Sequence, residues 1–478
     1  MLFALVLVPL VFAGVAFAVP SQRWRPWILP LGGSAHLVLY LAALRESNLS
    51  ALDGWLVLDP LGRLVLGLIS VLFLLSSLYA PAWLALRPGR SNRVFCANLL
   101  VFLAMMTLIT VAHHLGLMWV AIEATTLAIA PLIYFNHSGR SLEATWKYLL
   151  IGSVGIALSL LGSFFLAYSA LGSGLESSLL FEDLIRDAPQ LSRPWLHAAF
   201  VLLFVGYGTK MGLAPMHTWK PDAYGEAPGL IGTLLAGGLT SGAFLAILRF
   251  FQICNAAGEA AFARQMMVAL GLISMAVAGV FMARQRDFKR LLAYSSVEHM
   301  GILVLGIGIG GTAVFGALLH LLNNGLTKGA LFLSAANIHR AYGSKLTAEV
   351  TGALQKVPIS AALFLMGFFA ITGSPPFGPF MSEFTILRAA ISSGQYVVAG
   401  LFLLMLVVIF IGMGATVLSI VQGEAAPSRP GALLFREGFF NVAPPFAFMS
   451  LVLLLGLYIP PFVSSLLNEA VATVELRR

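Results

Sequence analysis

Apolar runs of about twenty residues recur along the whole chain. Of its 478 residues, 59% are hydrophobic and only 10% are charged, whereas a soluble domain carries about 25% charged residues. A helix of about 20 apolar residues spans the hydrocarbon core of a bilayer. Helices satisfy their own backbone hydrogen bonds there, so the sequence predicts an all-α polytopic membrane protein.

The runs predict about fourteen transmembrane helices, with ends defined to within a few residues. The predicted segments are 2–19, 27–44, 61–84, 95–112, 115–135, 147–171, 196–214, 229–252, 265–283, 291–310, 312–337, 358–385, 395–422 and 443–467. The first run lacks a preceding basic region and resembles the later ones. We therefore interpret it as a spanning helix and not as a cleaved signal peptide.

Lys and Arg are unevenly distributed between alternate connections of these segments. Odd connections hold seventeen and even connections hold six. Because basic residues favour cytoplasmic loops, the odd connections are predicted to be cytoplasmic and both termini to lie outside. The odd set is Arg23, Arg25, Arg87, Arg90, Arg93, Arg140, Lys147, Lys220, Arg284, Arg286, Lys289, Arg290, Arg340, Lys345, Lys356, Arg429 and Arg436, and the even set is Arg45, Arg186, Arg193, Arg249, Arg264 and Arg388.

Several function classes have no support in the sequence. Cys96 and Cys254 each lie alone in or near an apolar run, so no cysteine cluster is available for an iron–sulfur centre or zinc. No GxGxxG or P-loop pattern follows a strand and opens a helix. The net charge of +8 is ordinary for a membrane protein with basic loops. We therefore expect no metal, no cofactor and no nucleic acid bound to this chain.

Two apolar segments are interrupted beside an ionisable residue. The stretch from Val205 to Ala236 carries Lys210 followed by a Pro- and Gly-rich break, and residues 371–387 repeat this arrangement before Glu383. Broken helices in corresponding positions of two inverted units are typical of transporter sites. We predict inverted five-helix repeats over 95–252 and 265–422, flanked by residues 1–94 and 435–478.

A second set of charges lies within otherwise apolar segments. Glu123 is near the middle of the segment 115–135, and a charge at that depth usually has a function. We favour a coupled pair of Glu123 and Lys210 that takes part in proton movement. The structural alternatives are a fixed ion pair between neighbouring helices and, for Lys210, a lysine at the membrane boundary. Lys147, at the start of its predicted segment, fits either the pathway or the boundary.

The segment 312–337 carries a polar stripe. His320, Asn324 and Lys328 recur at intervals of four, so they share one helix face, over a length of about 12 Å. Histidine and a buried lysine can relay protons, although a lone core histidine is more often a packing residue. Glu298 and His299 lie near the stripe in the preceding segment, either as gating groups or as partners of helix ends.

The motifs KMGLAPMHTWKPDA, DFKRLLAYSSVEHMGI, LLNNGLTKGALFL and GSPPFGPFMSEF resemble the antiporter-like subunits of respiratory complex I and of Mrp cation/proton antiporters. EATTLA, the LEATWKYLLIGSVGIALSLLG run and FMSEF resemble in particular the F-type membrane subunit of hydrogenase-4, which belongs to group 4 [NiFe] hydrogenase and formate hydrogenlyase complexes. The resemblance implies a proton pathway that contains Glu123, Lys210, His320, Lys328 and Glu383.

The sequence departs from this family pattern at three places. Glu383 stands where complex I relatives often have Lys, and Lys220 stands where the family commonly has Leu. The segment 229–252 has no Lys or His where many relatives place a bridging group, so Thr240, Ser241 or water would have to connect the two halves of the pathway.

The resemblance implies a proton-translocating subunit of a complex I-like respiratory or hydrogenase assembly in a bacterial or archaeal cytoplasmic membrane. Partners would be other membrane subunits and peripheral redox subunits, which would hold any iron–sulfur clusters, NiFe centre or quinone. Two alternatives stay open. One is a Na⁺/H⁺ antiporter subunit of the Mrp type. The other is a membrane module that energises a partner enzyme, such as an inorganic-carbon uptake complex.

Overall fold

The computed structural model describes residues 1–46, 49–87, 89–175, 178–283, 285–427 and 435–476. These residues form an almost entirely helical bundle, with one two-stranded antiparallel ribbon, β1 (Ser50–Ala51) and β2 (Leu56–Val57). The helices are α1 (Leu2–Ala18), α2 (Ile28–Ala43), α3 (Pro60–Ala85), α4 (Arg93–Val111), α5 (Leu115–Ile133), α6 (Gly139–Leu171), α7 (Phe181–Asp187), α8 (Arg193–Met211), α9 (Trp219–Glu226), α10 (Gly229–Ala256), α11 (Ala260–Met282), α12 (Phe288–Ile309), α13 (Thr312–Tyr342), α14 (Ala353–Lys356), α15 (Pro358–Ile371), α16 (Gly378–Ser392), α17 (Tyr396–Val421), α18 (Phe439–Leu457) and α19 (Pro461–Glu475).

The predicted all-α membrane class is confirmed. Within the described ranges, ten helices are long and apolar enough to cross a membrane, and α1 and α15 are shorter apolar helices. The total of fourteen spans and the inverted repeats stay predictions. Stretches of 18 residues in α10 and in α12 are completely buried, whereas less than a third of such a stretch in α17 is buried. Exposed apolar side chains of α17, such as Val407 and Ile411, are suited to a lipid or subunit contact.

Two predicted boundaries are wrong. The segment predicted to begin at 147 begins at Gly139, because Ser138 and Ser141 form a capping box at its start. The segment predicted over 443–467 is two helices, α18 and α19, separated at Tyr458–Pro460. Pro461 lies at the first position of α19, where its missing backbone N–H leaves no hydrogen bond unmade.

Both predicted interruptions are present. The helix α8 ends at Met211, and Gly212 follows with a φ of 81° before α9 begins at Trp219. The helix α15 ends at Ile371, and α16 begins at Gly378. The helices that follow the breaks pack inside the bundle, α9 against α6 and α12, and α16 against α13. The breaks themselves are partly exposed, at Pro215 in the first and at Pro375 and Pro376 in the second.

Four residues assigned to polar connections lie inside the protein: Arg25, Lys220, Arg249 and Lys289. Lys220 was predicted to be a cytoplasmic loop residue but is fully buried, because the first turn of α9 directs it back into the bundle. Arg249 was assigned to an even connection but is also buried, and it donates two hydrogen bonds, at 2.7 and 2.9 Å, to the Asp59 carboxylate. Two further residues of the charge count, Arg284 and Arg429, lie outside the described residues.

Candidate functional site

The end of α8 places Lys210 in the interior, where its side chain is fully buried. Its ammonium donates a hydrogen bond to the hydroxyl of Thr126 on α5. That hydroxyl donates in turn to Glu123 Oε2 at 3.2 Å. Among the described residues Lys210 therefore meets Glu123 through a shared hydroxyl and not as a direct ion pair. The sequence analysis missed Thr126, although its i+3 spacing from Glu123 places it on the same helix face.

The helix α6 completes the surroundings of Lys210. The Tyr148 ring centre lies 5.2 Å from Nζ, within the range of a cation–π interaction. A Cβ at Gly152 would lie 2.8 Å from the same nitrogen, so glycine is needed for this close approach. Lys147 is elsewhere: it lines a cavity of about 460 Å³ at the end of the bundle, where it contacts Glu143 at 2.6 Å and Asp222 at 2.8 Å.

Lys220 is the functional candidate that the sequence analysis placed incorrectly. Its ammonium donates to Ser296 Oγ on α12 at 3.1 Å and lies 5.8 Å from the Tyr224 ring centre. A Cβ at Gly212 would lie 2.3 Å from Lys220 Cε, so the break in the helix provides the space for this side chain. The available signal was its position within the interrupted stretch, directly before Pro221.

Lys328 on α13 and Lys220 on α9 both donate hydrogen bonds to α12. The Lys328 ammonium donates to Ser295 Oγ at 2.7 Å and to the Leu292 carbonyl at 3.2 Å. Glu298 lies one turn further along α12, is fully buried, and has two carboxylate oxygens without a hydrogen-bond partner among the described residues. An unpaired buried carboxylate is costly, which is typical of a group with a functional task.

Two histidines and a serine form a hydrogen-bonded relay. His299 Nδ1 lies 2.9 Å from His320 Nε2, and His320 Nδ1 lies 2.8 Å from Ser382 Oγ on α16. Ser382 donates its own hydrogen to the Pro379 carbonyl, so it accepts from His320 Nδ1–H. We therefore assign neutral His320 as the acceptor of a hydrogen bond from His299.

Glu383 follows Ser382 and lies at the far end of this relay. It is buried, and its Oε1 has no hydrogen-bond partner among the described residues. It lines a cavity of about 380 Å³ between the α15–α16 break and α17. One ligand atom each of His299, His320 and Glu383 lies within 4.8 Å of the others. This set could hold a metal ion, but the two rings use their facing nitrogens to bond each other, which favours a proton relay.

The remaining candidates are buried but differ in their contacts. Asn324 shares the α13 face with His320 and Lys328, and its Oδ1 has no partner among the described residues. Thr240 donates to the Ala236 carbonyl of its own helix at 2.7 Å. A π-helical segment, Leu234–Leu239, precedes it, a feature frequent at functional sites that the sequence analysis did not predict.

The buried row is our name for the ionisable and hydroxyl groups of the interior on α5, α8, α9, α12, α13 and α16, which form separate hydrogen-bonded groups. Its members are Glu123, Thr126, Lys210, Lys220, Ser295, Ser296, Lys328, Glu298, His299, His320, Ser382 and Glu383. Both ends are carboxylates close to the side of the bundle: Glu123 is half-buried beside the exposed Val120 and Leu127, and Glu383 lines an open cavity.

Comparisons with known proteins identify the family of the chain. Residues 112–411, which include the whole buried row, match the family described as NADH:quinone oxidoreductase/Mrp antiporter, transmembrane. A hydrogenase-4 component F homolog of Methylacidiphilum infernorum is 37% identical over 362 residues, which cover 75% of this chain and 74% of the relative.

Solved structures share the fold over nearly the full chain. A chain of respiratory complex I from Thermus thermophilus superposes with a TM-score of 0.80 at 27% identity, covering 98% of this chain and 99% of that chain. A chain of the Mrp complex from a Dietzia species has a TM-score of 0.88 at 20% identity, with 99% and 97% covered. The protein belongs to the NADH:quinone oxidoreductase/Mrp antiporter family, as an antiporter-like membrane subunit of the group that includes complex I, Mrp and group 4 hydrogenase complexes.

Proposed function

We propose that this chain moves protons within the membrane as a subunit of a redox-driven, complex I-like assembly. The observation that supports the proposal most directly is the buried row, in which each of three interior lysines bonds a hydroxyl and two histidines bond each other and Ser382. Ionisable groups at membrane depth are costly and commonly mark a proton relay.

The first half of the row would load and release a proton at Glu123. Its carboxylate and the Lys210 ammonium share the Thr126 hydroxyl, so a change of charge on either group alters the electrostatic energy of the other. Redox chemistry in a partner subunit would change the field at Glu123. A proton would then move towards or away from Lys210.

The second half would pass the proton from Lys328 to Glu383. Glu298 interacts electrostatically with Lys328, and the His299 Nε2 atom lies 3.7 Å from Glu298 Oε2. The histidine relay then leads to Ser382, next to Glu383. Each neutral imidazole has one donor and one acceptor nitrogen, so the pair can take up a proton on one side and release one on the other.

The chemistry of the row favours H⁺ over Na⁺ as the transported ion. Hard cations prefer a cage of oxygen ligands, whereas the centre of the row carries nitrogen groups, those of Lys210, Lys220, Lys328 and the two histidines. An Mrp-type Na⁺/H⁺ exchange is the second candidate, since Glu298 and Glu383 offer unpartnered carboxylate oxygens.

The two lateral ends of the row fit contacts with neighbouring membrane subunits. We propose that such subunits connect it to peripheral redox subunits, which would hold the iron–sulfur clusters and the NiFe centre or quinone. The assembly would lie in a bacterial or archaeal cytoplasmic membrane with both termini of this chain outside. The basic groups Arg87, Lys289 and Lys345, at the end of the bundle that also holds the α9 carboxylates, support this orientation.

The decisive test is proton uptake by sealed vesicles that contain the whole purified complex, measured together with redox turnover. We expect Lys210→Ala and Glu123→Gln each to lower the number of protons moved per turnover at least tenfold. Glu469→Gln, on an exposed carboxylate of α19, is the matched control and should behave like the wild type.

Other outcomes identify the alternatives. Unchanged proton movement in both variants, at normal turnover, would mean that the buried pair is structural and that the chain is a membrane module energising its partner. Proton uptake that requires Na⁺ in the opposite compartment would instead favour the antiporter. The same vesicles, prepared with K⁺ in place of Na⁺, distinguish these two results.

A further inference from the structure

We propose that Lys220 is the proton-carrying group that joins the two halves of the buried row, through the neighbouring hydroxyls of Ser296 and Ser295 on α12. The inference rests on the proposed function and adds a route between Lys210 and Lys328. It replaces the bridge expected on α10 with one that runs along α9 and α12.

The two hydroxyls expected to form a bridge on α10 donate their hydrogen atoms to the backbone of their own helix. Thr240 donates to the Ala236 carbonyl at 2.7 Å, and Ser241 donates to the Gly237 carbonyl at 2.5 Å. Both bonds are the local back-bonds that Ser and Thr commonly form within helices. Among the described residues, neither hydroxyl bonds to a lysine of the row.

Lys220 has the position and the contacts that a bridge requires. Its side chain is fully buried, and its ammonium donates to Ser296 Oγ at 3.1 Å and lies 3.5 Å from the Ser296 carbonyl. No described carboxylate forms an ion pair with it. Its charge is costly in this setting, because only hydroxyl and carbonyl oxygens hold it, and the ammonium is therefore well suited to release a proton and become a neutral amine.

Two consecutive serines of α12 bind the two lysines. Ser296 accepts from Lys220, and the adjacent Ser295 accepts from Lys328 at 2.7 Å. The two ammonium groups are also close enough to interact electrostatically. Because like charges repel, a proton that arrives on one lysine favours release from the other. The Lys220 ammonium becomes a neutral amine as the Lys328 amine becomes an ammonium, and the total charge is unchanged.

Each of the two lysines has a tyrosine beside it, Tyr148 at Lys210 and Tyr224 at Lys220. The Tyr148 hydroxyl lies beside Thr126, and the Tyr224 hydroxyl lies beside Ser296. Both are buried and have no hydrogen-bond partner with good geometry among the described residues. The Trp219 ring packs between them, with ring centres 5.2 Å from Tyr148 and 6.0 Å from Tyr224. The cluster thus provides one buried hydroxyl near each lysine, and we infer that the proton passes from Lys210 to Lys220 along this side of the bundle.

The test compares four variants in the whole purified complex, reconstituted into sealed vesicles, by protons moved per redox turnover. Lys220→Met removes the titratable group, and we expect at least a tenfold loss. Lys220→Arg keeps the positive charge but cannot release a proton, so it should lose as much. Thr240→Val tests the α10 route and should match the wild type. Lys210→Ala reports on the proposed function itself.

The outcomes separate the two proposals. Wild-type coupling in Lys220→Met, with coupling lost in Lys210→Ala, overturns the bridge and leaves the proposed function standing. Wild-type coupling in both variants overturns the proposed function. If Lys220→Arg moves as many protons per turnover as the wild type, the residue supplies only a fixed charge. If Thr240→Val loses proton movement, the bridge lies on α10. Either result overturns the inference.

A smaller substitution decides the case in which neither Lys220 variant assembles. Ser296→Ala removes only the hydroxyl that accepts from Lys220, and we expect it to lower the protons moved per turnover several-fold in an assembled complex. Thr233→Ala is its matched control, because that buried hydroxyl bonds only its own helix, at the Gly229 carbonyl. Equal coupling in the two variants overturns the bridge.

Discussion

The hydroxyl of Thr126 offers the sharpest test of how Glu123 and Lys210 communicate. It accepts a hydrogen bond from the Lys210 ammonium and donates one to the Glu123 carboxylate at 3.2 Å. Thr126→Val replaces this hydroxyl by a methyl group of nearly the same size. The substitution therefore leaves almost no cavity, and it removes mainly the two polar contacts.

The expected magnitude follows from the charge on the partners. A hydrogen bond to a charged group contributes about 1.5–3 kcal/mol, and about 1.4 kcal/mol corresponds to a tenfold change in an equilibrium constant. If the Lys210 ammonium loses this acceptor, the charged intermediate of proton transfer is destabilised by that amount. We therefore expect Thr126→Val to slow redox-driven proton uptake about 10- to 100-fold in vesicles.

Thr125 provides a matched control one residue away. It is buried in the same helix, but its hydroxyl donates to the Ile122 carbonyl at 2.6 Å. Thr125→Val should leave proton uptake within about twofold of the wild type, since a back-bond to the helix contributes little. Equal uptake by Thr126→Val and Thr125→Val, at equal amounts of assembled complex, would refute the hydroxyl-mediated coupling.

Three further predictions concern packing and stability. Gly152→Ala should lower proton uptake severalfold without unfolding the protein, because its Cβ would displace the flexible end of Lys210 from 2.8 Å. Asp59→Asn should lower the free energy of unfolding by about 3 kcal/mol, because it leaves the buried Arg249 without its carboxylate. Burial and, to a smaller extent, the Arg249 charge lower the pKa of His113 in the folded protein, so the unfolded state binds more protons at this residue. The melting temperature of the detergent-solubilised protein should therefore fall as the pH falls below about 6.5.

Each of these predictions has a control. Gly139→Ala, at a site with no neighbouring atom within 4 Å, should leave proton uptake unchanged, and equal effects at the two glycines would contradict the displacement argument. Asp53→Asn, on an exposed residue of the same connection, should not change the melting temperature. His113→Gln should flatten the pH dependence between about pH 5 and 7, and an unaltered slope would assign it to other buried histidines.

The Asp59 carboxylate should extend this acid sensitivity to lower pH. Burial by itself raises the pKa of Asp59, but the Arg249 guanidinium and His113 outweigh it and hold that pKa well below its usual range. Its stabilisation is therefore present above the unfolded-state pKa of about 3.9 and is lost progressively as pH falls below that value. Between pH 3 and 5, the melting temperature of Asp59→Asn should therefore change less with pH than that of the wild type.

The parts of the site that the sequence predicted are those with a large energetic cost. A lysine beside a helix break and a histidine stripe in an apolar segment are expensive in a bilayer under any packing arrangement. Their burial could therefore be inferred before the helices were placed. The break before Pro461 was harder to predict, because another proline pair, Pro444–Pro445, lies inside the continuous helix α18.

The parts that the sequence did not predict depend on which way a chain turns after a break. Lys220 is nine residues beyond the end of α8, and a Pro-rich stretch of that length fits a surface loop as well as a buried re-entry. Thr126 is a second case. A threonine in an apolar helix usually bonds its own backbone, and only the approach of α8 to α5 assigns its hydroxyl to a lysine.

The ionisable groups of the chain make two kinds of polar contact. The difference between them explains how the lysines of the interior can change their charge state. Away from the row, charges meet carboxylates directly, as in the Arg249–Asp59 pair at 2.7 Å and the Lys345–Glu226 pair at 2.7 Å. Direct pairs at such distances favour one fixed charge state on each partner.

Inside the row, hydroxyls intervene instead. Lys210 bonds Thr126, Lys220 bonds Ser296, and Lys328 bonds Ser295. A hydroxyl both donates and accepts, so it stabilises the ammonium and the neutral amine with a smaller difference in energy than a carboxylate would. The charged and neutral forms of each lysine are thereby kept closer in free energy. A small change in the electric field from a neighbouring redox subunit can then move a proton from one lysine to the next.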